Sequence, residues 1–385
     1  MTIKRNFTLI FYLSFFSLGK ERIHSLSGSL LRPKDNEVFA EKTRIPIPDR
    51  QQNFRSAPGT FPGKFPSLSA DSSRVRKKEK NNDRTMKTHL LSLRLSVFSL
   101  LWLCLWTSAW AQADPPLMKI ISYNILEGMK DDTTAHKQVF AAWVRQQDPD
   151  ILALQETNGF TQESLQALAE SYGHPYAILC KEPGYPPAIT SKYPIVNVRR
   201  VTDNMTHGFV MADIGGYHVI SIHLNPHSRA KRMKEAEILL HTLATQDDPT
   251  KWIIMGDFNS FSPYDSLHYA DGQYARLQIQ RRVKSPHLQN LDNDRADFSV
   301  QSRILESGLV DVSHLMHKDY QSTFPTVRYT GKNSLHHRYD YIFVSKDLKG
   351  KVRDQQILRD EFTDQHSDHY PNVFYVPRLE EVPRW

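Results

Sequence analysis

The sequence predicts an α/β fold in which helices cover buried β-sheets. Two observations lead to this prediction. Short apolar runs rich in β-branched and aromatic residues recur along residues 114–385, and amphipathic segments of helical period lie between them. Strands that alternate with helices are typical of sheets whose faces are covered by helices. Because residues 114–385 contain no internal repeat and no Gly/Ser-rich linker, we expect them to form one large domain.

Five apolar runs have the length and composition of strands. In chain order they are Lys119–Tyr123, Ile151–Leu154, His218–Ile222, Trp252–Met255 and Tyr341–Val344. Most of these runs are nearly continuous in hydrophobic residues, which is typical of strands that are buried on both faces.

Two segments between these runs have the period of a helix. His136–Gln147 and Arg229–Leu243 each bring their large apolar side chains to one face at 3.6 residues per turn. We therefore expect both to be amphipathic helices that lie against a sheet.

Residues 86–113 have the features of a secretory signal peptide. Positive charges lie at 87 and 94, an apolar core follows at 95–106, and small residues at 109, 111 and 113 offer cleavage sites. The core is too short to span a bilayer comfortably, and an uncleaved anchoring helix is the alternative. We expect a secreted or periplasmic protein with no stable membrane insertion after cleavage. Cys180 would then be its only cysteine, so no internal disulfide is expected.

The positive charge of the chain belongs to its front end. The formal net charge is +7, but residues 1–85 carry 17 Lys and Arg against 8 Asp and Glu, whereas residues 114–385 carry 30 against 34. We interpret residues 1–85 as a disordered extension from a mis-assigned start, with translation beginning at Met86; a disordered targeting extension is the alternative. The charge of residues 114–385 does not indicate a nucleic-acid-binding surface, although nucleic acid stays open as a partner.

Polar side chains stand at the edges of several predicted strands. They are Asn124, Glu156, His223, Asp257 with Asn259, Asp340, and the late triplet Ser367-Asp368-His369. A polar group at the end of a buried strand is costly unless it is paired or ligated. One such group is usually a turn former, but six strand edges with such groups predict a shared site at the ends of a sheet.

The residues around these positions resemble the endonuclease/exonuclease/phosphatase superfamily. The six blocks are Tyr123-Asn124-Ile125, Gln155-Glu156, His223-Leu224-Asn225, Gly256-Asp257-Phe258-Asn259, Tyr339-Asp340-Tyr341 and Ser367-Asp368-His369. They occur in the order of the family across residues 117–377, and Ala188–Val196 is also similar to a strand of the family. The resemblance implies a deoxyribonuclease I-like four-layer α/β sandwich, in which two packed mixed β-sheets are flanked by helices.

The resemblance also implies a metal site. It makes Glu156 the first ligand, Asn124 a neutral second oxygen, and Asp368 a further carboxylate near the ion. Oxygen ligands with few carboxylates suit Mg²⁺ or Mn²⁺, with Ca²⁺ as an alternative. Asn124 as the cap of the turn after its strand is the other interpretation of that residue. Glu127 lies one position later than the acidic residue of some relatives, which puts its role as a ligand in doubt.

By resemblance, three groups act on the attacking water and the phosphate. Asp257 orients or deprotonates the water, Asn259 binds the phosphoryl group, and His369 contacts the scissile phosphate. Asp340 would hold the His369 ring by accepting from its other nitrogen, as carboxylates do for histidines in many hydrolases.

A second histidine is expected to act on the leaving group. By resemblance, His223 protonates or polarises the leaving oxygen, with Asn225 beside it on the phosphate. Taken alone, His223 would more often be a core histidine whose hydrogen bonds are satisfied.

The sequence thus predicts an exported, divalent-metal-dependent hydrolase of a phosphate mono- or diester. A secreted nuclease is one alternative, and a catalytically inactive binding module of the same fold is another. The segment Tyr264–Asn293 directly follows the Asp257 block, and we expect it to be a substrate-specific loop over the metal.

Overall fold

The computed structural model describes residues 115–332 and 334–379, together with the single position Ser96. The predicted extension at 1–85 lies outside the described residues, and so does the signal segment at 86–113 apart from Ser96. Within the part of the chain that the structure describes, no helix combines the length and apolar character that a membrane span requires.

Two six-stranded mixed sheets form the framework. The first contains, in spatial order, β13 (Asp354–Ile357), β14 (Asn372–Pro377), β1 (Leu117–Asn124), β2 (Ile151–Gln155), β4 (Ala188–Ser191) and β3 (Tyr176–Leu179). The second contains β11 (Val310–Asp311), β12 (Asp340–Val344), β8 (Trp252–Asp257), β7 (Tyr217–His223), β6 (Gly208–Ile214) and β5 (Val196–Val201). Pairing is parallel between β1 and β2 and between β7 and β8, and antiparallel elsewhere.

Helices and short turns connect the strands. The helices are α1 (Gln138–Gln147), α2 (Gln162–Ser171), α3 (Arg229–Ala244), α4 (Gln273–Lys284), α5 (Ser299–Glu306), α6 (Val312–Met316) and α7 (Glu361–His366). The 3₁₀ turns span Ala135–Lys137, Pro263–Tyr269 and Lys346–Leu348, and β9 (Leu291–Asp292) pairs with β10 (Arg295–Ala296) in a small ribbon. Side-chain caps start several helices; Thr161, for example, accepts from the backbone N–H of Ser164 at the start of α2.

The four-layer α/β sandwich is confirmed, because alternate side chains along a strand face the other sheet and the helices. In β2, Ile151 and Ala153 belong to the core between the two sheets, whereas Leu152 and Leu154 face α1 and α2. In β8, Ile253 and Met255 lie between the sheets while the alternate residues face α3 and α5. Each of these strands is buried on both faces, which explains why the sequence runs are continuously apolar.

The five predicted strands all lie within observed strands, but two other segments differ from expectation. Ala188–Val196 is not one strand, because β4 ends at Ser191 and β5 begins at Val196 in the other sheet. Pro194 lies between them and has no N–H with which to continue a strand ladder. Tyr264–Asn293 is not an open loop but folds into most of a 3₁₀ turn, α4 and β9.

Candidate active site

The strand register brings the predicted polar groups to one edge of the sandwich. His223 at the end of β7 lies opposite Asp257 at the end of the parallel strand β8. Asp340 begins β12 and lies opposite Asp257 from the other side. In the first sheet, Asn124 ends β1 beside the end of β2, which Glu156 follows. Hydrogen bonds join the two sheets there, since the Asn124 amide nitrogen donates to Asp257 at 3.0 Å and lies 3.3 Å from Glu156.

Asp257 lies at the centre of this edge. Its Oδ2 accepts from Asn124 and lies 3.6 Å from Nε2 of His223 and 3.8 Å from Nε2 of His369. Its Oδ1 accepts from the backbone N–H of Asn259 at 2.9 Å. Burial raises the pKa of Asp257, and nearby Asp340 adds to this effect against the opposing attraction of His369. A carboxylate with a raised pKa is a better proton acceptor than an ordinary one.

His369 is held as a charged ring. Its Nδ1 donates to Oδ2 of Asp340 at 2.8 Å, so its Nε2 faces Asp257. Burial opposes protonation, but the carboxylates of Asp340 and Asp368 outweigh it and raise the pKa of His369 well above the usual value. The hydroxyl oxygen of Thr323 accepts from the backbone N–H of Asp340 and fixes the start of β12. His369 therefore offers positive charge and a donor at Nε2.

His223 has the opposite preference. Its Nδ1 donates to the carbonyl of Tyr185 at 3.2 Å, which leaves Nε2 directed at Asp257. Burial lowers the pKa of His223 well below the usual value, and neighbouring His207 adds to the effect. Two imidazoles with oppositely shifted pKa values thus flank one carboxylate, which is an arrangement typical of acid–base sites.

Glu156 and Asp368 form a half-buried acidic pair near Asp257. Glu156 accepts from the backbone N–H of Glu127 at 3.0 Å and has a left-handed φ of 60°. Burial raises the pKa of Glu156 and the charge of Asp368 raises it further, while burial raises the pKa of Asp368 itself. Two buried carboxyl groups whose charged forms are disfavoured fit a divalent cation, which would neutralise both and prefers such oxygen ligands.

A second set of side chains also meets the spacing of a metal site. Asp257, Asp340 and His369 offer ligand atoms that lie within 4.8 Å of one another. However, Asp340 and His369 satisfy each other through the bond at 2.8 Å, which a metal ion would have to break. The oxygen pair of Glu156 and Asp368 carries no such bond between its members, so it fits the ion better.

Two of the predicted asparagines lie in the site. The Asn124 amide oxygen accepts from the backbone N–H of Leu126, as the turn-cap interpretation predicts, while its nitrogen donates to the carboxylates of Glu156 and Asp257. Its role as an oxygen ligand of a metal ion stays a prediction. Asn259 also has a left-handed φ, of 48°, and its amide donates to the carbonyl of Leu224.

Asn225 is engaged in its own loop. Its amide oxygen accepts from the backbone N–H groups of His227 and Ser228, and its nitrogen donates to the hydroxyl of Thr206. The structure therefore places this side chain in the loop that follows β7, and its contact with phosphate stays a prediction.

Sequence reasoning missed the residues that support these loops. Arg232 lies in the segment predicted to be an amphipathic helix, and its charged side chain is only 2% exposed. Arg232 donates to the carbonyl of Asn225 and to the side chain of Asn290. Glu235, one turn along α3, is fully buried and accepts from the backbone N–H of Asn225 at 2.8 Å. Their position one turn apart on α3 was the available signal, because it places both on the same face of the helix.

The comparisons with known proteins agree with this geometry. Residues 121–369 match the model of the Endonuclease/Exonuclease/phosphatase family. The chain therefore belongs to this family, and it is a metal-dependent hydrolase of phosphate esters.

Individual relatives extend along nearly the whole described region. The chain is 25% identical over 268 residues to an exodeoxyribonuclease of Bacillus subtilis, a match that covers 66% of this chain and 97% of that protein. An AP endonuclease from Archaeoglobus fulgidus superposes with a TM-score of 0.52 at 21% identity, covering 68% of this chain and 100% of that one. The structural likeness shows the shared fold.

Proposed function

We propose that the enzyme hydrolyses a phosphate mono- or diester by in-line attack of a water molecule that Asp257 orients and deprotonates. The observation that carries the proposal is the position of this buried carboxylate between the Nε2 atoms of His223 and His369. As the bond from the water oxygen to phosphorus forms, the P–O bond to the leaving group on the opposite side breaks, and a proton of the water passes to Asp257. His369 donates from Nε2 to a phosphoryl oxygen, held in place by Asp340.

In this proposal, His223 protonates the leaving oxygen. The hydrogen bond to the carbonyl of Tyr185 keeps one proton on Nδ1, so Nε2 can receive from Asp257 the proton that the water gave up. The lowered pKa of His223 makes this charged ring a strong acid, and it passes the proton to the leaving oxygen and returns to its neutral form. Asn259 lies beside Asp257 and would contact the phosphoryl group.

Glu156 and Asp368 would hold the divalent ion, with Asn124 beside them. We propose Mg²⁺ or Mn²⁺, with Ca²⁺ as the alternative, because the side chains that converge here offer oxygen atoms rather than thiolates. When bound, the ion supplies positive charge against the phosphoryl oxygens. The protein contributes the burial that makes this charge effective.

Hydrolysis by the purified protein tests the reaction. The substrates are bis-p-nitrophenyl phosphate, p-nitrophenyl phosphate, plasmid DNA and sphingomyelin, each with Mg²⁺, Mn²⁺ or EDTA. We expect turnover with a divalent ion, none with EDTA, and loss of nearly all turnover in Glu156→Gln. The matched control, Glu237→Gln, replaces an exposed carboxylate on α3 and should turn over normally. Full activity in EDTA, or in a folded Glu156→Gln variant, would refute the proposal.

A nucleic-acid strand is the second candidate substrate. The exodeoxyribonuclease of Bacillus subtilis is matched over 97% of its length. Tyr274 of α4 packs in a cluster with Tyr339, the residue before Asp340, and α4 exposes Arg276, Arg281 and Lys284. Replacing both Arg281 and Lys284 with neutral residues should weaken DNA cleavage. It should also reduce the slope of the salt dependence by the amount expected for the loss of about two phosphate contacts. Hydrolysis of bis-p-nitrophenyl phosphate should not change, because this substrate is too small to reach α4.

We also propose that the enzyme is exported, because residues 86–113 have positive charges, an apolar core and small residues in the order of a signal peptide. The test is N-terminal sequencing of protein expressed in a bacterial host. Recovery outside the cytoplasm with a start after Ala111 or Ala113 supports export, whereas cytoplasmic protein that retains residues 86–113 contradicts it.

A further inference from the structure

The ring of His223 is covered by a second imidazole that the reaction does not use. The rings of His207 and His223 stack with their centroids 4.2 Å apart and their planes at 23°. We infer that His207 is a positioning residue, which holds the His223 ring so that Nε2 points at Asp257. The inference rests on the proposed role of His223 at the leaving group.

His223 needs such a support because its hydrogen bonds define its orientation incompletely. Within the described part of the chain, Nδ1 has one partner, the carbonyl of Tyr185 at 3.2 Å, and Nε2 lies 3.6 Å from Asp257, beyond hydrogen-bond distance. One hydrogen bond fixes which nitrogen carries the proton but lets the ring plane rotate about the bond. A second ring against its face removes that freedom.

The backbone places His207 against His223. β6 begins at Gly208, which lies directly opposite His223 on the antiparallel strand β7. Gly208 has a φ of 93°, and a Cβ there would lie 2.8 Å from the carbonyl oxygen of Val201 and 3.1 Å from Sγ of Cys180. Only glycine permits this close approach, so the start of β6 and the residue before it are fixed beside the end of β7.

Buried polar contacts anchor the loop that carries His207. The backbone N–H and the hydroxyl of Thr206 both donate to Oε1 of fully buried Glu235, at 2.7 and 2.6 Å. The edge of the Tyr185 ring contacts His207 with a centroid distance of 5.5 Å. Tyr185 therefore contacts both imidazoles. Its ring packs against His207, and its carbonyl accepts from Nδ1 of His223.

His207 acts by contact rather than by charge. It is 8% exposed, and its Nε2 is buried with no hydrogen-bond partner among the described residues. Burial lowers its pKa to about 4, so the ring is neutral at neutral pH. A neutral ring that makes no hydrogen bond at Nε2 can support His223 only through its face.

Kinetics of two His207 variants test the inference. His207→Ala removes the ring, whereas His207→Phe keeps a flat face. We expect Ala to lower kcat about tenfold at unchanged KM on bis-p-nitrophenyl phosphate, and more on diesters of phenol, whose leaving group needs protonation more. Phe should recover most of the loss. The double variant His207→Ala/His223→Ala should be no slower than His223→Ala alone, because a positioning residue acts through its partner.

Two kinetic results would overturn the inference. One is an equal loss on good and poor leaving groups, which indicates a general structural defect. The other is full additivity of the two Ala substitutions, which indicates that His207 does not act through His223.

A second measurement is independent of turnover. In ¹⁵N-histidine-labelled protein, the His223 signals should indicate a single tautomer with the proton on Nδ1. His207→Ala should keep this tautomer but shift and broaden the His223 signals, because the ring can then rotate about its hydrogen bond, and His207→Phe should leave them as in the wild type. If the wild-type enzyme hydrolyses no phosphate ester, the proposed function fails while these spectra still decide the positioning role. Unchanged His223 signals in His207→Ala contradict it.

Discussion

Asp340 binds His369 through Nδ1 at 2.8 Å, whereas the Asp257 carboxylate lies 3.8 Å from the opposite nitrogen of the same ring. Two carboxylates at the ends of neighbouring strands thus contact one imidazole from both sides. Their register opposite each other in the β8–β12 pair produces this arrangement. Asp340 orients the ring and raises its pKa, and in the proposed reaction Asp257 is left to accept the proton of the attacking water.

Asp340→Asn should separate orientation from charge. An amide can accept from Nδ1 through its carbonyl oxygen and keep the ring in place, but it lacks the negative charge that keeps the ring protonated, so His369 would lose the proton and the donor at Nε2. We expect kcat to fall by about 10²–10⁴, as in hydrolases whose histidine loses its carboxylate. KM should change little, and steady-state kinetics on bis-p-nitrophenyl phosphate with Mn²⁺ measures both.

The control is Asp354→Asn, at the exposed start of β13. It should match the wild-type enzyme in rate and in thermal unfolding. If Asp340→Asn is folded and retains more than about a third of the wild-type kcat, the reaction does not need the charge that Asp340 contributes to His369.

Asp257→Asn should lower the activity of the enzyme and raise its stability. Loss of the proton acceptor should lower kcat by about 10²–10⁴. The pKa of Asp257 is raised in the folded protein. Above the usual carboxyl pKa of about 4, the unfolded chain ionises this group more readily than the folded protein does, so the folded state loses stability. This loss grows as the pH rises toward the raised pKa. The metal-free variant should therefore unfold at a higher temperature than the wild type, with a larger difference at pH 8 than at pH 5. Asp271→Asn, exposed before α4, is the control. An unchanged or smaller difference at pH 8 contradicts the raised pKa.

Cation binding should strengthen as pH rises. The raised pKa values of Glu156 and Asp368 mean that both carboxyls keep their protons above the usual carboxyl range, so a cation must displace protons. Affinity should fall as pH decreases through the raised pKa values and level off above them. Calorimetry of Mn²⁺ binding at pH 5, 6.5 and 8 in two buffers of different ionisation enthalpy measures both the affinity and the released protons. Affinity independent of pH, without proton release, is incompatible with these carboxyls as ligands.

The strand ends could be predicted from the sequence because they combine two local signals. An apolar run that is buried on both faces specifies a strand, and a polar group directly after it has no apolar role. Asn124, His223 and Asp257 were found in this way, and the structure brings them into contact with one another.

The support of these groups could not be predicted because it depends on tertiary contacts. Helical period places Glu235 on a face of α3, but its partners Thr206 and Asn225 belong to separate loops. The start of α1 shows the same limit. His136 was expected in the helix but has a left-handed φ of 54°, and Asp132 instead accepts from the backbone N–H of Phe140.

Glu235→Gln should loosen the loops around the site. Glu235 accepts three hydrogen bonds, from both groups of Thr206 and from the backbone N–H of Asn225. An amide presents its NH₂ group to at least one of these donors, so we expect a loss of about 1–3 kcal/mol in the free energy of unfolding. Glu237→Gln, which breaks only an exposed pair with Arg303, should cost less than about 1 kcal/mol. Urea unfolding of both variants decides, and equal losses would show that Glu235 is not a structural anchor.

Gly128→Ala should weaken the metal site through the backbone. Residues 126–129 all have left-handed φ, and a Cβ on Gly128 would lie 2.2 Å from the carbonyl oxygen of Asn158. This turn directs the N–H of Glu127 at the Glu156 carboxylate, so displacing it should lower Mn²⁺ affinity by about 10–100-fold. Gly159→Ala is the matched control, since Gly159 has a similar φ of 76° but its Cβ would meet nothing within 4 Å. It should lose about 1 kcal/mol of stability and keep its Mn²⁺ affinity. Equal Mn²⁺ affinities in the two variants would mean that the close approach at Gly128 does not position Glu156.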